Sequence, residues 1–261
     1  MLSTYYKSFI KSLNNIFLGL ILLCSGGLAY GNPLTVAVAA NVKFAFADLQ
    51  QAFTKETGIE VTSVFGSSGK LTAQIKSGAP FDVFLSANMK YPDNLYQSGM
   101  ALTKPKVYAN GVLVLWTMNP LDLGKGIQVL NDPTVQKIAV ANPNLAPYGR
   151  EAINALEHFR MYDALKSKLV FGENISQVSQ YIDSKSVDIG FTAKSVVLAP
   201  QLADQGKWIE LPKGSYHPIA QGVVILKRAE EANSENARRF LEFLASPAAR
   251  TIFEKYGYLL P

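Results

Sequence analysis

The sequence predicts an α/β fold of two lobes, each a mostly parallel sheet flanked by helices, with a ligand cleft between the lobes. Strand-like and helix-like segments alternate along the chain after its first 30 residues, and they do so in two successive series. A further strand and helix follow the second series, which suggests that the chain returns to the first lobe. Ligands of such folds bind at the carboxyl ends of the strands, so the cleft is the expected site.

The first series predicts strand, helix, strand, helix, strand. Its longer helix has apolar residues at spacings of four, three and four and stops at Gly58, a common C-terminal residue of helices. A shorter helix passes through Leu71 and Ile75. The apolar residues of the longer helix are Val42, Phe46, Leu49 and Phe53, and the predicted strands are residues 34–39, 59–65 and 83–86.

The second series predicts strands and helices that build the other lobe. Its strands are residues 112–116, 138–141 and 188–192, and its helices are residues 148–159 and 175–184. The closing strand is predicted at residues 222–226, followed by a helix from Ser234 with Ala237, Phe240, Leu241 and Leu244 on one face. The predicted division is therefore residues 30–110 with 221–261 for lobe I and 111–220 for lobe II. The chain is expected to cross between them near residues 109–112 and 218–222.

The first 29 residues have the pattern of a secretory signal peptide. Lys7 and Lys11 precede an apolar stretch at residues 16–24, and small residues follow up to Ala29. Leu23, which precedes the single cysteine of the chain, disfavours a lipid anchor at that cysteine. We therefore expect a mature protein in the periplasm, without a thiol for a disulfide, a metal site or nucleophilic catalysis.

Composition and charge exclude several classes of function. The chain is 48% hydrophobic and 17% charged, with a net charge of +5, of which the two lysines of the predicted signal peptide contribute two. No basic stripe with interleaved aromatic residues is present, so nucleic-acid binding is not expected. Neither of the two histidines has the spacing of a metal ligand.

Three short stretches could hold an anion without a charged side chain. Residues 39–42, 66–71 and 146–149 each follow a strand-like run and open a helix-like one. The first turn of a helix carries unpaired backbone N–H groups and the positive end of the helix dipole, and small or hydroxylated residues let an oxyanion reach them. This pattern predicts an anion receptor.

An enzymatic reading of the second stretch remains as a remote alternative. Ser67 and Lys70 match the S-x-x-K pattern of serine enzymes that act on penicillins, in which the lysine helps to activate the serine. The S-D-N and K-T-G motifs that accompany that pattern are absent from the sequence. The same stretch imitates a P-loop, but Leu71 stands where Ser or Thr is required. We therefore expect no enzyme activity.

Ordered blocks along nearly the whole mature chain resemble the periplasmic molybdate-binding proteins of ABC transporters, which have the type II two-lobed periplasmic binding protein fold. The blocks are residues 34–41, 65–75, 78–87, 141–149, 172–175 and 188–193, and the terminal residues 256–261 also fit.

The resemblance implies a function and a set of site residues. The protein would capture molybdate, and tungstate with it, and deliver the ion to the membrane permease of an ABC transporter, as a monomer and without a cofactor. Another tetrahedral oxyanion such as sulfate is the alternative. Carried over by position, the ligand contacts are Asn41, Ser68, Tyr148 and Ile175, with Ala40, Ser67 and Thr192 as further candidates.

The residues carried over suit a ligand that accepts hydrogen bonds at every oxygen. Asn41 would serve through its amide or its backbone N–H, and the phenol of Tyr148 is expected to replace Thr192 where that hydroxyl falls short. Molybdate is fully deprotonated near neutral pH, whereas hydrogen phosphate keeps a proton and needs an acceptor. None of the four main positions is Asp or Glu. Lys70 is expected to face solvent.

Overall fold

The computed structural model describes residues 33–231 and 233–261. The predicted signal peptide at residues 1–29 lies outside them. The described chain forms two five-stranded sheets flanked by helices. None of the described helices is long and apolar enough to cross a membrane.

The first sheet has the strand order β2-β1-β3-β10-β4 and forms the first lobe. Strands β1, β2 and β3 pair in parallel, and β10 pairs antiparallel with both β3 and β4. Four of the five strands therefore run in one direction. The strands are β1 (Leu34–Ala39), β2 (Val61–Gly66), β3 (Val83–Leu85), β4 (Lys106–Gly111) and β10 (Ile219–Ile225).

The second sheet repeats this plan and forms the second lobe, with the order β7-β6-β8-β5-β9. Strands β6, β7 and β8 are parallel, and β5 pairs antiparallel with both β8 and β9. In each lobe the reversed strand is the one that follows a crossing of the chain between sheets. The strands are β5 (Leu113–Thr117), β6 (Ile138–Ala141), β7 (Leu169–Gly172), β8 (Ile189–Ala193) and β9 (Lys207–Glu210).

Nine α-helices lie in the described part of the chain, together with short 3₁₀ segments, of which Ala40–Val42 directly follows β1. The helices are α1 (Lys43–Thr57), α2 (Ser68–Lys76), α3 (Lys90–Gln97), α4 (Pro147–His158), α5 (Tyr162–Leu165), α6 (Ile175–Asp183), α7 (Lys194–Val197), α8 (Ser234–Leu244) and α9 (Pro247–Lys255).

The first lobe has a core in which an early helix packs against a late one. The rings of Phe46 and Phe53 in α1 lie 6.1 Å and 5.1 Å from the ring of Phe240 in α8, measured between centroids. Fully buried aromatic rings stabilise such a core by their large apolar area. The contact ties α8, which lies near the C-terminus, to the first lobe.

Most predicted elements are present, and their ends differ from the predicted ones by at most three residues. Helix α1 ends at Gly58, whose φ of +72° is the left-handed conformation that favours glycine. The predicted apolar face of α8 is wrong at one position, because Phe243 is buried there while Leu241 is only partly buried. Strands β4, β7 and β9 and helices α3, α5, α7 and α9 were not expected. The exact boundaries of the division into lobes stay a prediction.

Candidate functional site

A small cavity lies where helices begin after the strands of both lobes. It encloses about 200 Å³ of empty space, including the part continuous with solvent. The cavity is small, so it suits a small ion better than an organic ligand of ordinary size. The twelve described residues that line it are Ala39, Ala40, Asn41, Gly66, Ser67, Ser68, Ala87, Ala146, Pro147, Tyr148, Asn174 and Ile175.

Ser68, the first residue of α2, is fully buried with its hydroxyl held in place. Its Oγ accepts a hydrogen bond from the backbone N–H of Ala87 at 2.9 Å. Its backbone carbonyl accepts one from the Thr72 hydroxyl at 2.7 Å. Because the hydroxyl oxygen already serves as an acceptor, its own hydrogen is available to a ligand.

Ser67 and Asn41, the other polar residues of the first lobe in the lining, also have roles within the fold. Ser67 is the N-cap of α2, and its Oγ accepts from the backbone N–H of Lys70 at 3.4 Å. The amide nitrogen of Asn41 donates to Gln221 at 2.9 Å and to Tyr258 at 3.1 Å. An amide nitrogen has two hydrogens, so both are used. The backbone N–H is therefore the donor of Asn41 that suits a ligand.

The second lobe presents two helix starts to the same cavity. Helix α4 begins with Pro147, and Ala146 before it provides no side-chain cap, which leaves the N–H groups of the first turn free. Helix α4 lies close against β6 because Gly149 has no Cβ; one there would lie 1.9 Å from the carbonyl oxygen of Ala141. At the other start, the Asn174 side chain accepts from the backbone N–H of Gln177 and caps α6.

Tyr148 and Ile175 occupy these two starts and differ in what they offer. Ile175 is 3% exposed and packs in the core, so its functional group is the backbone N–H. Tyr148 is 1% exposed, and its hydroxyl accepts from Nε2 of Gln221 at 3.2 Å. Burial, reinforced by other tyrosines, raises its pKa well above the usual value near 10, so the phenol stays protonated.

Thr192 is the one candidate that the structure places away from the lining. Its Oγ1 lies 3.0 Å from Oγ of Ser179, deep in the second lobe. Ser179 in turn donates to the carbonyl of Ile175 at 2.8 Å. Thr192 therefore supports the start of α6 from behind. Ala40 and Ser67, the other further candidates, do line the cavity.

Three contacts join the two lobes at the mouth of the cavity. The backbone N–H of Gly69 donates to the carbonyl of Leu145 at 2.9 Å, and the Tyr91 hydroxyl donates to the carbonyl of Asn144 at 3.3 Å. A Cβ on Gly69 would lie 3.0 Å from both Cα and O of Leu145, so a larger residue would hold the lobes apart. The third contact is an ion pair of Lys70.

Lys70 is exposed, as expected, and it also forms an ion pair with the second lobe. Its side chain is half exposed, and its ammonium nitrogen lies 2.8 Å from a carboxylate oxygen of Glu173. This pairing turns the ammonium to the other lobe instead of to Ser67. The arrangement does not form the serine–lysine pair that the S-x-x-K pattern requires.

Sequence reasoning missed several lining residues. Asn174 had a detectable signal, because Asn is a favoured N-cap and stands directly before the predicted helix at 175–184. Ala87 had none. Gly66 and Ala146 were not named as ligand contacts, although they lie in the predicted anion-binding stretches 66–71 and 146–149. The tertiary partners of Asn41 and Tyr148 were also invisible, since Gln221 is distant in sequence.

The lining carries no Asp, Glu, Lys, Arg or His among its twelve described residues. In the described ranges there is also no group of three or more His, Cys, Asp or Glu that could hold a metal ion. The site consists of helix N-termini, hydroxyls and backbone N–H groups. Such a set is made for an acceptor-rich anion.

A two-lobed α/β fold with a small polar cavity between its lobes defines the class of solute-binding proteins. The model of the bacterial extracellular solute-binding protein family matches residues 34–259, and the chain belongs to this family. It is 36% identical to the molybdate-binding protein ModA of Rhodobacter capsulatus over 233 residues, covering 88% of this chain and 90% of that protein. It is 34% identical to ModA of Azotobacter vinelandii over 239 residues, covering 91% and 93%.

Solved structures agree with these relatives. The periplasmic molybdate-binding protein of Azotobacter vinelandii superposes with a TM-score of 0.81 at 34% identity, covering 87% of this chain and 99% of that one. The sulfate-binding protein SubI of Mycobacterium tuberculosis superposes with a TM-score of 0.70 at 13% identity, covering 87% and 86%. The second likeness is one of fold alone.

Proposed function

We propose that the protein captures molybdate, and tungstate with it, outside the cytoplasm and delivers the ion to the membrane permease of an ABC transporter. The observation that carries the proposal is the lining: helix starts from both lobes meet at one small cavity that has no ionised side chain. The periplasm is the compartment that the signal-peptide pattern at residues 1–29 favours. The protein would act as a monomer, as a binding protein and not as an enzyme.

The proton inventory of the cavity favours a fully deprotonated tetrahedral oxyanion. Every oxygen of molybdate accepts hydrogen bonds, and the lining offers mainly donors. Hydrogen phosphate would need a carboxylate to accept its proton, and the described lining has none. Roughly five to seven hydrogen bonds, each worth on the order of 1.5 kcal/mol, give about 8 to 10 kcal/mol, which corresponds to a micromolar or tighter Kd.

Molybdate is favoured over sulfate, although both ions lack protons. The ModA relatives named above share a third of their residues with this chain over about nine tenths of its length. The likeness to the sulfate-binding protein lies in the fold only. The site residues proposed for the contacts are Asn41, Ser68, Tyr148 and Ile175, with Ala40 and Ser67 beside them.

Calorimetric titration of the purified mature protein with molybdate, tungstate, sulfate and phosphate tests the proposal. We expect one ion per chain, micromolar or tighter Kd values for molybdate and tungstate, and binding of sulfate and phosphate at least about 100-fold weaker, a difference near 2.7 kcal/mol. Tighter binding of sulfate would make the protein a sulfate receptor. Absence of binding for all four ions would overturn the oxyanion function itself.

A further inference from the structure

Gln221 lies behind the cavity and is fully buried without lining it. It belongs to β10, at the point where the pairing with β4 shifts register between Gln221 and Gly222. Such an irregularity turns a side chain away from its regular direction, and bulges of this kind often lie next to functional sites. A buried amide in this position must have partners for both its oxygen and its nitrogen.

The amide of Gln221 forms hydrogen bonds with both lobes, in which its oxygen accepts and its nitrogen donates. Its Oε1 accepts from Nδ2 of Asn41 at 2.9 Å and from the Tyr108 hydroxyl at 2.8 Å. Its Nε2 donates to the Tyr148 hydroxyl at 3.2 Å. Gln221 is therefore a direct link between a residue of the first lobe and a residue of the second, both of which line the cavity.

The direction of the Asn41 amide follows from its other partner. Tyr258 has one hydroxyl hydrogen, whose acceptors are the backbone carbonyl of Asn41 at 3.0 Å and Oγ of Ser195 at 3.1 Å. It therefore turns a lone pair to the Asn41 side chain and receives a hydrogen from Nδ2 at 3.1 Å. With the nitrogen of Asn41 thus placed, Gln221 faces it with its oxygen, and the Gln221 nitrogen is left for Tyr148.

This arrangement leaves the hydroxyl hydrogen of Tyr148 available. The Tyr148 oxygen accepts from Gln221, and within residues 33–231 and 233–261 no acceptor for its hydrogen lies at hydrogen-bonding distance. A buried donor without a partner is unfavourable by about 1–3 kcal/mol, and an oxyanion in the adjoining cavity would relieve this cost. Because burial raises the pKa of Tyr148, the hydrogen is present throughout the neutral and mildly alkaline range.

Gly111 indicates independently that the fold accommodates the contact between the Gln221 amide and the Tyr148 hydroxyl. A Cβ at that position would lie 2.0 Å from the Tyr148 hydroxyl oxygen and 2.6 Å from Nε2 of Gln221. Gly111 ends β4, where the chain crosses between lobes. The space that any side chain would fill is taken up by the Gln221–Tyr148 contact.

We propose that Gln221 is a positioning residue that holds the Tyr148 hydroxyl as a donor to the bound ion and thereby favours fully deprotonated oxyanions. The proposal rests on the proposed function and deepens it. Gln221 contacts the ion only through Tyr148 and Asn41. If an acceptor replaced the nitrogen of Gln221, the Tyr148 hydroxyl would donate its hydrogen to that acceptor. It would then turn a lone pair, instead of a hydrogen, to the ligand.

The first test is a double-mutant cycle with Gln221→Met and Tyr148→Phe, measured as Kd for molybdate by calorimetry. Met keeps the length of the side chain without its hydrogen bonds. We expect each single variant to weaken binding about tenfold, the effect of one hydrogen bond to a charged group. In the Tyr148→Phe background, Gln221→Met should cost less than about threefold, because the hydroxyl that it positions is gone. Independent, multiplying losses would overturn the proposal.

A second variant, Gln221→Glu, tests the direction of the hydrogen bonds and covers the case in which Gln221→Met fails to fold. At pH 8.5 phosphate still carries a proton and molybdate does not. We expect the ratio of the phosphate Kd to the molybdate Kd, from displacement titrations, to fall at least about tenfold in Gln221→Glu. When Gln221→Glu is made in the Tyr148→Phe background, this ratio should not fall. An unchanged ratio, or an equal fall in both backgrounds, would overturn the proposal.

These outcomes are separable from a failure of the proposed function. If the unaltered protein binds molybdate but the cycle is additive, only the role of Gln221 is lost. If the unaltered protein does not bind molybdate, the proposed function itself fails. Thermal unfolding of each variant shows that a loss of affinity is measured on folded protein.

Discussion

The two halves of the cavity are built on the same plan but deliver different donors. In the first lobe, the 3₁₀ segment Ala40–Val42 follows β1 directly, and Ser67 alone separates β2 from α2. In the second lobe, residues 142–146 separate β6 from α4, and residues 173–174 separate β7 from α6. The first lobe presents the Ser68 hydroxyl, fixed by Ala87, whereas the second presents the start of α6 through a backbone N–H.

The difference indicates how closure and binding are coupled. Neither half alone surrounds a tetrahedral ion, and the full set of donors exists only when the lobes meet. A ligand that gains contacts on closure shifts the population to the closed state by that gain. The contacts of Gly69 and Lys70 with the second lobe belong to this closed arrangement. Substitutions at the contact between the lobes should therefore weaken molybdate binding more than substitutions within one half of the cavity.

Gly69→Val should have the largest effect, because it blocks the meeting of the halves. Its side chain would collide with the backbone of Leu145, which a Cβ alone would approach to 3.0 Å. We expect molybdate binding to weaken at least about 100-fold, with a much smaller change in thermal unfolding, since each lobe keeps its own core. Calorimetry measures the first and calorimetric melting the second. Unaltered affinity would mean that this contact is absent from the bound protein.

Ser68→Ala removes the side-chain donor of the first half. We expect a loss of at least about tenfold in molybdate affinity, since a hydrogen bond to a charged group contributes about 1.5 to 3 kcal/mol. Ser63→Ala, on the strand that leads to the site, is the matched control and should bind as the unaltered protein does. Equal affinities of the two variants would remove Ser68 from the site.

Lys70→Ala tests the ion pair across the mouth of the cavity. Both partners are substantially exposed, with 49% and 39% of their side-chain surface accessible, and exposed pairs contribute about 0 to 1 kcal/mol. We expect a loss of no more than about fivefold that shrinks as salt is added. Lys76→Ala, at the far end of α2, is the control. A loss greater than that of Ser68→Ala would indicate a lysine clamp on the ion.

Thr192→Val should have the smallest effect on binding. Its hydroxyl contacts Ser179 and lies outside the cavity lining, so the molybdate Kd should stay within about twofold. The free energy of unfolding should fall by about 1 kcal/mol, the usual contribution of a buried hydrogen bond. Calorimetry and denaturant unfolding measure the two quantities. A tenfold loss of affinity would place Thr192 among the ligand contacts.

Features of this fold that depend on a few consecutive residues could be predicted from the sequence, whereas contacts between distant residues could not. Apolar spacing predicted α1 and its end at Gly58, because helix periodicity and the left-handed glycine are properties of a few consecutive residues. The short edge strands β7 and β9 were missed, since each has only two or three apolar residues in succession before a glycine or a charged residue. All four main site positions line one cavity, yet the pairing of Asn41 with Gln221, 180 residues away, required the structure.

Small-angle scattering with and without molybdate is the most direct test of a site divided between the two lobes. We expect the radius of gyration to fall when molybdate is added, because the ion binds donors of both lobes and closes the cleft. Gly69→Val, held open by its side chain, should not show this fall. An unchanged radius of gyration in the unaltered protein, with calorimetry confirming that the ion binds, would contradict closure around the ligand.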